Sequence, residues 1–158
     1  MMAERVLIVD DDRGVREALA EYLQTLEYSV VTADDGQDAL NKYREGEVDI
    51  ILADLIMPNM DGMELLKRIR EVNDDLIFLM ITGHPSISTA VGSISLGADD
   101  YVTKPFHLEE VKARVTKAVE KRKLKSRLKT SQGLVWGLML SIPLWLLLGI
   151  ILVILLKG

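Results

Sequence analysis

Cysteine is absent from the 158 residues, which excludes disulfides, thiolate metal sites and thiol nucleophiles. Acid is absent after Glu120: all 24 Asp and Glu lie in residues 1–120, against 12 Lys and Arg, a net charge of −12. Residues 121–129 add six bases and no acid, and Lys157 adds one more, which brings the whole chain to −5. The opening residues MMAERVLIVDDD carry neither a secretory pattern nor a cleavage site. No internal repeat or low-complexity segment interrupts the acidic part. The chain thus reads as an acidic body, a basic collar and an apolar tail, with room for one ordinary domain and an appendage.

Charge is also absent from Leu134 to Leu156, a run of 23 residues. At about 1.5 Å per residue, a helix of that length spans a bilayer core of roughly 30 Å. Pro143 and the glycines do not forbid it. The competing readings are a buried core helix and a hydrophobic dimer seam. Lys121, Arg122, Lys123, Lys125, Arg127 and Lys129 precede the run, so the positive-inside bias places the acidic body in the cytoplasm. The expectation is a single-pass tail anchor in the inner (plasma) membrane, with Lys157 and Gly158 at the far face. The collar is read as a topology signal attracted to anionic headgroups, at about 1 kcal/mol per basic residue, and not as a nucleic-acid patch. Gly137 and Ser141 form a small-xxx-small step that leaves a homodimer open. Trp136 fits one membrane boundary, while Trp145 falls near mid-span.

In the body, apolar runs of strand length end in acids. Arg5–Val9 runs into Asp10, Asp11 and Asp12; Val48–Ala53 runs into Asp54. Ser29–Ala33, Leu76–Ile81 and the short Tyr101–Val102 are the other strands. Helical spacing appears at Val15, Leu19, Leu23 and Leu26, with Asp12 as N-cap. It appears again at Ala39, Leu40 and Tyr43, closed by Gly46, and from Met63 through Leu65, Leu66 and Ile69 after the Pro58–Gly62 turn. A weaker helix, about Ile87–Leu96, contains Gly92, which costs roughly 1 kcal/mol relative to alanine. It leaves that face loosened, or open to close approach by a partner. The last helix starts near Leu108, passes Val111, Val115, Ala118 and Val119, and enters the collar with no proline between them. Five strands alternating with five helices, four of the strands apolar enough to be buried on both faces, imply a doubly wound parallel sheet.

Such sheets bind ligands outside the carboxyl ends of their strands. That rule gathers Asp10 and Asp11 after the first strand, Asp54 after the third, Thr82 after the fourth and Lys104 after the fifth. Three carboxylates with no histidine or cysteine beside them suit Mg²⁺, with Mn²⁺ as the alternative, and not zinc. A lysine and a hydroxyl from neighbouring strands supply a point charge and a hydrogen bond for phosphoryl oxygens. The chemistry these residues support is phosphoryl transfer with Asp54 as nucleophile.

On these residues the chain resembles the receiver domain of two-component response regulators, from residue 4 to about 121. The acid pair matches Asp10 and Asp11 in VDDD, the phosphoacceptor Asp54 in ADLIMPNMDG, the switch hydroxyl Thr82 in MITG, and the lysine Lys104 in TKPF. The aromatic switch position matches Tyr101 in GADDYVTKPF. The resemblance implies a flavodoxin-like strand order 2-1-3-4-5. It also implies that Asp11, Asp54 and the backbone carbonyl of Ile56 ligate the metal, that Asp10 acts mostly through water, and that Thr82 and Lys104 bind the phosphoryl group. Ile56 and His84 occupy positions that tune phosphate lifetime in that family. His84, two residues past Thr82, otherwise reads as a solvated loop residue, and His107 as part of a helix N-terminus. Neither lies in the context of a histidine kinase or phosphotransfer domain.

The expected organisation is a receiver domain over 1–121, a basic juxtamembrane extension over 122–133 and a transmembrane helix over 134–156. No DNA-binding or enzymatic output domain is expected after the receiver. The expected function is a membrane-anchored single-domain response regulator, not a substrate-turning enzyme and not a nucleic-acid binder. A histidine kinase or phosphotransfer protein would phosphorylate it, and it would switch a membrane-proximal partner or relay the phosphoryl group. The alternatives are a Mg²⁺-dependent phosphohydrolase of haloacid dehalogenase type and a receiver that binds constitutively. Against the first, the nucleophile of that type follows the first strand in an Asp-x-Asp pattern, where this chain has an unbroken Asp triplet. The intact set of site residues argues against the second.

Overall fold

The computed structural model describes residues 4–126 together with 151, 155 and 156. Five parallel strands, β1 (Arg5–Val9), β2 (Ser29–Ala33), β3 (Ile50–Asp54), β4 (Ile77–Thr82) and β5 (Asp100–Thr103), form one sheet in the order β2-β1-β3-β4-β5. Between them run α1 (Arg13–Thr25), α2 (Gly36–Lys42), α3 (Gly62–Val72) and α4 (Ile87–Ser95), and a fifth helix, α5, follows from 108 to 126. The compact unit that carries the sheet ends at Val119.

Strand alternation divides the core in two. Leu7, Val9, Ile51, Ala53, Phe78 and Met80 point to one face, where Ala39 of α2 and Leu65, Leu66 and Ile69 of α3 cover them. Val6, Ile8, Ile50, Leu52, Ile77, Leu79 and Ile81 point to the other, under Leu19 and Leu23 of α1 and Val111, Val115 and Val119 of α5. Each fully buried aliphatic side chain contributes about 1.5–3 kcal/mol. Two layers of helix on one sheet therefore leave the strands' carboxyl ends as the place where polar groups can gather.

The structure corrects several expectations. Only β1, β3 and β4 are buried along their length; β2 is half exposed, because it lies at the sheet edge with β1 as its one partner. Helix α2 ends at Lys42 with Tyr43 as C-cap, so Gly46 does not close it. Gly46 instead sits at φ +79° in the turn before β3, a conformation that suits glycine. β3 begins at Ile50 and not at Val48, although Val48 is buried. β4 runs one residue later than expected and takes in Thr82.

Helix N-termini follow the sequence closely. Asp12, Asp35, Asp61 and Ser86 cap α1, α2, α3 and α4 with side-chain oxygens, and Ser86 with Thr89 completes a capping box. α4 differs from the other helices in its outer face. Ile87, Val91 and Ile94 are exposed, and Ser93 is its buried residue. Gly92 of α4 faces inward: a Cβ there would meet Cε of Met63 at 3.3 Å, so the close neighbour is α3.

The expected membrane span, 134–156, lies outside the described residues except at 151, 155 and 156, as do residues 127–133 of the expected juxtamembrane extension. Among the described residues no helix is long and apolar enough to cross a membrane.

Candidate functional site

Parallel pairing in this order sets four strand ends side by side. Val9 lies opposite Ala53, Asp54 opposite Ile81, and Thr82 opposite Thr103. The residues that follow these positions converge as a consequence. Asp10, Asp11 and Asp54 each offer an oxygen within 4.8 Å of the others, with Asp10 and Asp54 buried and Asp11 exposed. Lys104, next after β5, brings Nζ to 2.6 Å from Asp10 Oδ2 and 2.7 Å from Asp54 Oδ2. The peptide between Lys104 and Pro105 is cis.

Partner accounting separates the two buried acids. Asp10 uses both oxygens: Oδ2 accepts from Lys104, and Oδ1 accepts the backbone N–H of Asp12 at 2.9 Å. Arg16 donates to the carbonyl of Asp10. Asp54 uses one oxygen, and its Oδ1 is buried with no hydrogen-bond partner. An unpartnered carboxylate oxygen in a buried site costs free energy that a cation recovers. Burial pushes the Asp10 carboxyl above its usual range, against the opposing hydrogen bonds from Lys104 and the Asp12 backbone. Burial alone would lower Lys104, but the hydrogen bonds to Asp10 and Asp54 outweigh it and hold the ammonium above its usual value.

The cluster opens into a pocket of about 470 Å³ lined by Asp11, Asp12, Asp54, Ile56, Gly83, His84 and Lys104. An all-oxygen donor set, one orphaned carboxylate oxygen and space for a phosphoryl group together fit Mg²⁺. Asp10, Asp11 and Asp54 are the side chains that would hold it.

Other expected residues stand further back. Thr82 is fully buried at the end of β4, where its Oγ1 accepts the backbone N–H of His84 at 3.1 Å. Tyr101 does not line the pocket. It packs partly buried beside the core, with its hydroxyl 3.4 Å from Oγ1 of Thr89 on α4. His84 borders the pocket, whereas His107 is exposed just before α5.

The loop between β3 and α3 carries features that no periodicity announces. Gly62 approaches the chain so closely that a Cβ would lie 2.2 Å from the carbonyl oxygen of Asp54. Its N–H donates to Leu55 O at 2.9 Å, closing the base of the loop. At the tip, Asn59 adopts φ +60° and its amide donates to Oδ2 of Asp35. Asn in a turn tolerates that left-handed conformation, which was the one available signal.

Comparison with known proteins agrees with this geometry. The model of the family described as "Response regulator receiver domain" matches residues 6–116. Response regulator MprA of Mycolicibacterium vanbaalenii is 44% identical over 114 residues, which span 72% of this chain and 49% of that protein. The chain spans about half the length of the curated relatives it matches. The non-phosphorylated HemR receiver domain from Leptospira biflexa superposes with a TM-score of 0.70 at 34% identity, over 73% of this chain and 94% of that one. A CheY-like receiver domain protein from Methanospirillum hungatei gives 0.74 at 27% identity, over 78% and 98%. The chain belongs to the response regulator receiver domain family.

Proposed function

We propose that Asp54 accepts a phosphoryl group from a histidine kinase or phosphotransfer protein, with Mg²⁺ bound beside it, and that the charge placed there switches partner binding or is relayed onward. The observation that carries this reading is the state of Asp54. Lys104 holds one of its oxygens at 2.7 Å, and the other is buried without a partner, beside an open pocket.

The residues divide the work. A carboxylate oxygen of Asp54 attacks phosphorus as the P–N bond of the donor phosphohistidine breaks. The imidazole nitrogen keeps the electron pair and takes a proton from water. Lys104 already bridges Asp10 and Asp54 and is placed to meet an oxygen of the incoming group as a point charge. By family resemblance Asp11, Asp54 and the carbonyl of Ile56 would ligate Mg²⁺, with Asp10 acting mostly through water; the ion would neutralise phosphoryl and carboxylate charge when bound. Attack of water on the aspartyl phosphate releases inorganic phosphate and resets the domain, so the only turnover expected is of its own phosphoryl group.

Output requires a two-state element biased by that charge. Thr82 at the strand end and Tyr101 against Thr89 of α4 are the connecting residues in this reading, and α4 and α5 provide the face that changes affinity. The apolar run 134–156 behind the basic collar supports a single-pass anchor in the inner membrane with the receiver domain in the cytoplasm. A protein near the membrane is then the partner, and no nucleic acid is involved. Confinement to the membrane raises the effective concentration of kinase and target.

The test is intact-mass measurement of the full chain in detergent after acetyl phosphate treatment, with and without Mg²⁺, beside Asp54→Asn. One added phosphoryl group that needs Mg²⁺ and is lost in the variant is the expected result. A folded, metal-binding chain that adds nothing would turn the reading to constitutive binding, and steady release of phosphate from simple esters to a phosphohydrolase. Flotation of the full chain with vesicles, lost on removal of residues 130–158, tests the anchor separately.

A further inference from the structure

We infer that Asp35 and Asn59 form a clamp that positions the pocket's Ile56 loop for the metal, so that the N-terminus of α2 acts on Mg²⁺ affinity from outside the ligand set. This rests on the metal reading of the Asp10, Asp11 and Asp54 cluster. It concerns residues that neither line the pocket nor contribute to that cluster.

The loop from Leu55 to Asp61 is held at its base and at its tip. At the base, Leu55 N–H donates to Ile81 O at 2.8 Å and Gly62 N–H donates to Leu55 O at 2.9 Å. At the tip, Asn59 donates to Oδ2 of Asp35, and Gly36 N–H donates to Met60 O at 3.1 Å. A Cβ on Gly36 would meet Met60 O at 2.7 Å, so the two segments touch backbone to backbone. Ile56 lies between base and tip and lines the pocket. Ile56 is 56% exposed, so its own packing does little to fix it; Leu55 and Met57 on either side are buried in the core, and the tip from Pro58 to Asp61 is left to the clamp.

Asp35 is committed to both duties. Oδ1 caps α2 by accepting Asp38 N–H at 2.7 Å, and Oδ2 accepts from Asn59. One carboxylate therefore ties the start of a helix to the tip of the loop, 24 residues apart in sequence. A loop fixed at both ends holds its middle in one conformation, and partners beyond the ligands typically change metal affinity by roughly 10-fold or more when removed.

Substitutions can separate clamping from capping. Asp35→Ser keeps an oxygen for Asp38 N–H and has none that reaches Asn59. Asn59→Gly keeps the left-handed backbone and removes the amide. Asn59→Asp sets two carboxylates against each other, and adding Asp35→Asn restores a carboxylate–amide pair with the roles exchanged. Mg²⁺ dissociation constants are to be read on the full chain in detergent by calorimetry, with urea unfolding in chelator as the measure of folding.

The expected result is affinity weakened about 10-fold in Asp35→Ser, Asn59→Gly and Asn59→Asp, with recovery in the exchanged pair. Affinities within about twofold of the parent in folded variants, whatever their stability, would overturn the clamp. Weakened affinity with no recovery in the exchanged pair would also overturn it. A parent chain that binds no Mg²⁺ would instead remove the metal reading on which the clamp rests.

Discussion

Nζ of Lys104 stands 2.7 Å from Oδ2 of Asp54, and the same ammonium stands 2.6 Å from Oδ2 of Asp10. One cation thus compensates two carboxylates that are almost fully buried. Lys104→Ala is expected to destabilise the protein by about 3 kcal/mol, because it leaves two like charges facing each other away from water. Saturating Mg²⁺ should recover part of that loss by replacing the missing charge. Urea unfolding in chelator and in excess Mg²⁺ measures both. A variant as stable as the parent in chelator would mean that the lysine does not compensate the pair.

Two glycines should respond with opposite sign. At Gly62 a Cβ would meet Asp54 O at 2.2 Å and Met80 Sδ at 2.8 Å, so Gly62→Ala must move the backbone that carries Asp54. A loss of about 3 kcal/mol is expected, at the upper end of overpacking effects. At Gly92 the neighbour is the mobile end of Met63, and Gly92→Ala should stabilise α4 by about 0.5–1 kcal/mol. Thermal melts of both variants decide it, and destabilisation at position 92 would show that Met63 cannot yield.

Arg70 ties three segments at the sheet end remote from the site. Its guanidinium donates to Gly97 O at 3.0 and 2.8 Å, to Asn73 O at 3.1 Å and to Leu76 O at 2.7 Å, and it pairs with Asp99 at 3.2 Å. Asp99 in turn accepts Phe78 N–H at 2.9 Å. Arg70→Met keeps the stem but removes the donors to the three carbonyls and the cation beside Asp99, for an expected loss of about 2–4 kcal/mol. Arg70→Lys should recover less than half, since an ammonium cannot reproduce the planar fork. Urea midpoints of the two variants compare them directly.

Tyr22 on α1 donates its hydroxyl to Glu109 Oε1 on α5 at 2.6 Å. That hydrogen bond, with lesser contributions from burial and the glutamate charge, pushes the phenol from 10.0 up to about 12. A folded-state value above the unfolded one contributes stability below pH 10.0, and that contribution is lost as pH rises through about 12. Phenolate absorbance during alkaline titration should show one tyrosine titrating near pH 12 that disappears in Tyr22→Phe. A parent in which every tyrosine titrates near its ordinary value would discard the α1–α5 link.

Much of the fold was legible because its signals are local. Apolar runs at Arg5–Val9 and Leu76–Ile81, the acids after the first of them, and the capping residue Asp12 all act within a few positions. Element ends were less so. Tyr43 ends α2 where Gly46 was expected to, and β2 proved half exposed, since edge position depends on which strands pair.

The amino-acid sequence by itself determined the alternation of strands and helices and the placement of Asp10, Asp54, Thr82 and Lys104 at strand ends, because side-chain periodicity and turn chemistry are short-range. Only the tertiary structure decided which of those groups touch. Lys104 meets Asp54 across 50 residues and Asp10 across 94, and Asn59 meets Asp35 across 24. Such contacts follow from strand order and register, which arise when separate apolar faces bury one another and not from any local run of residues. The orphaned oxygen of Asp54 belongs to the same class, since which protein groups reach a buried oxygen is decided only once every neighbour has its place.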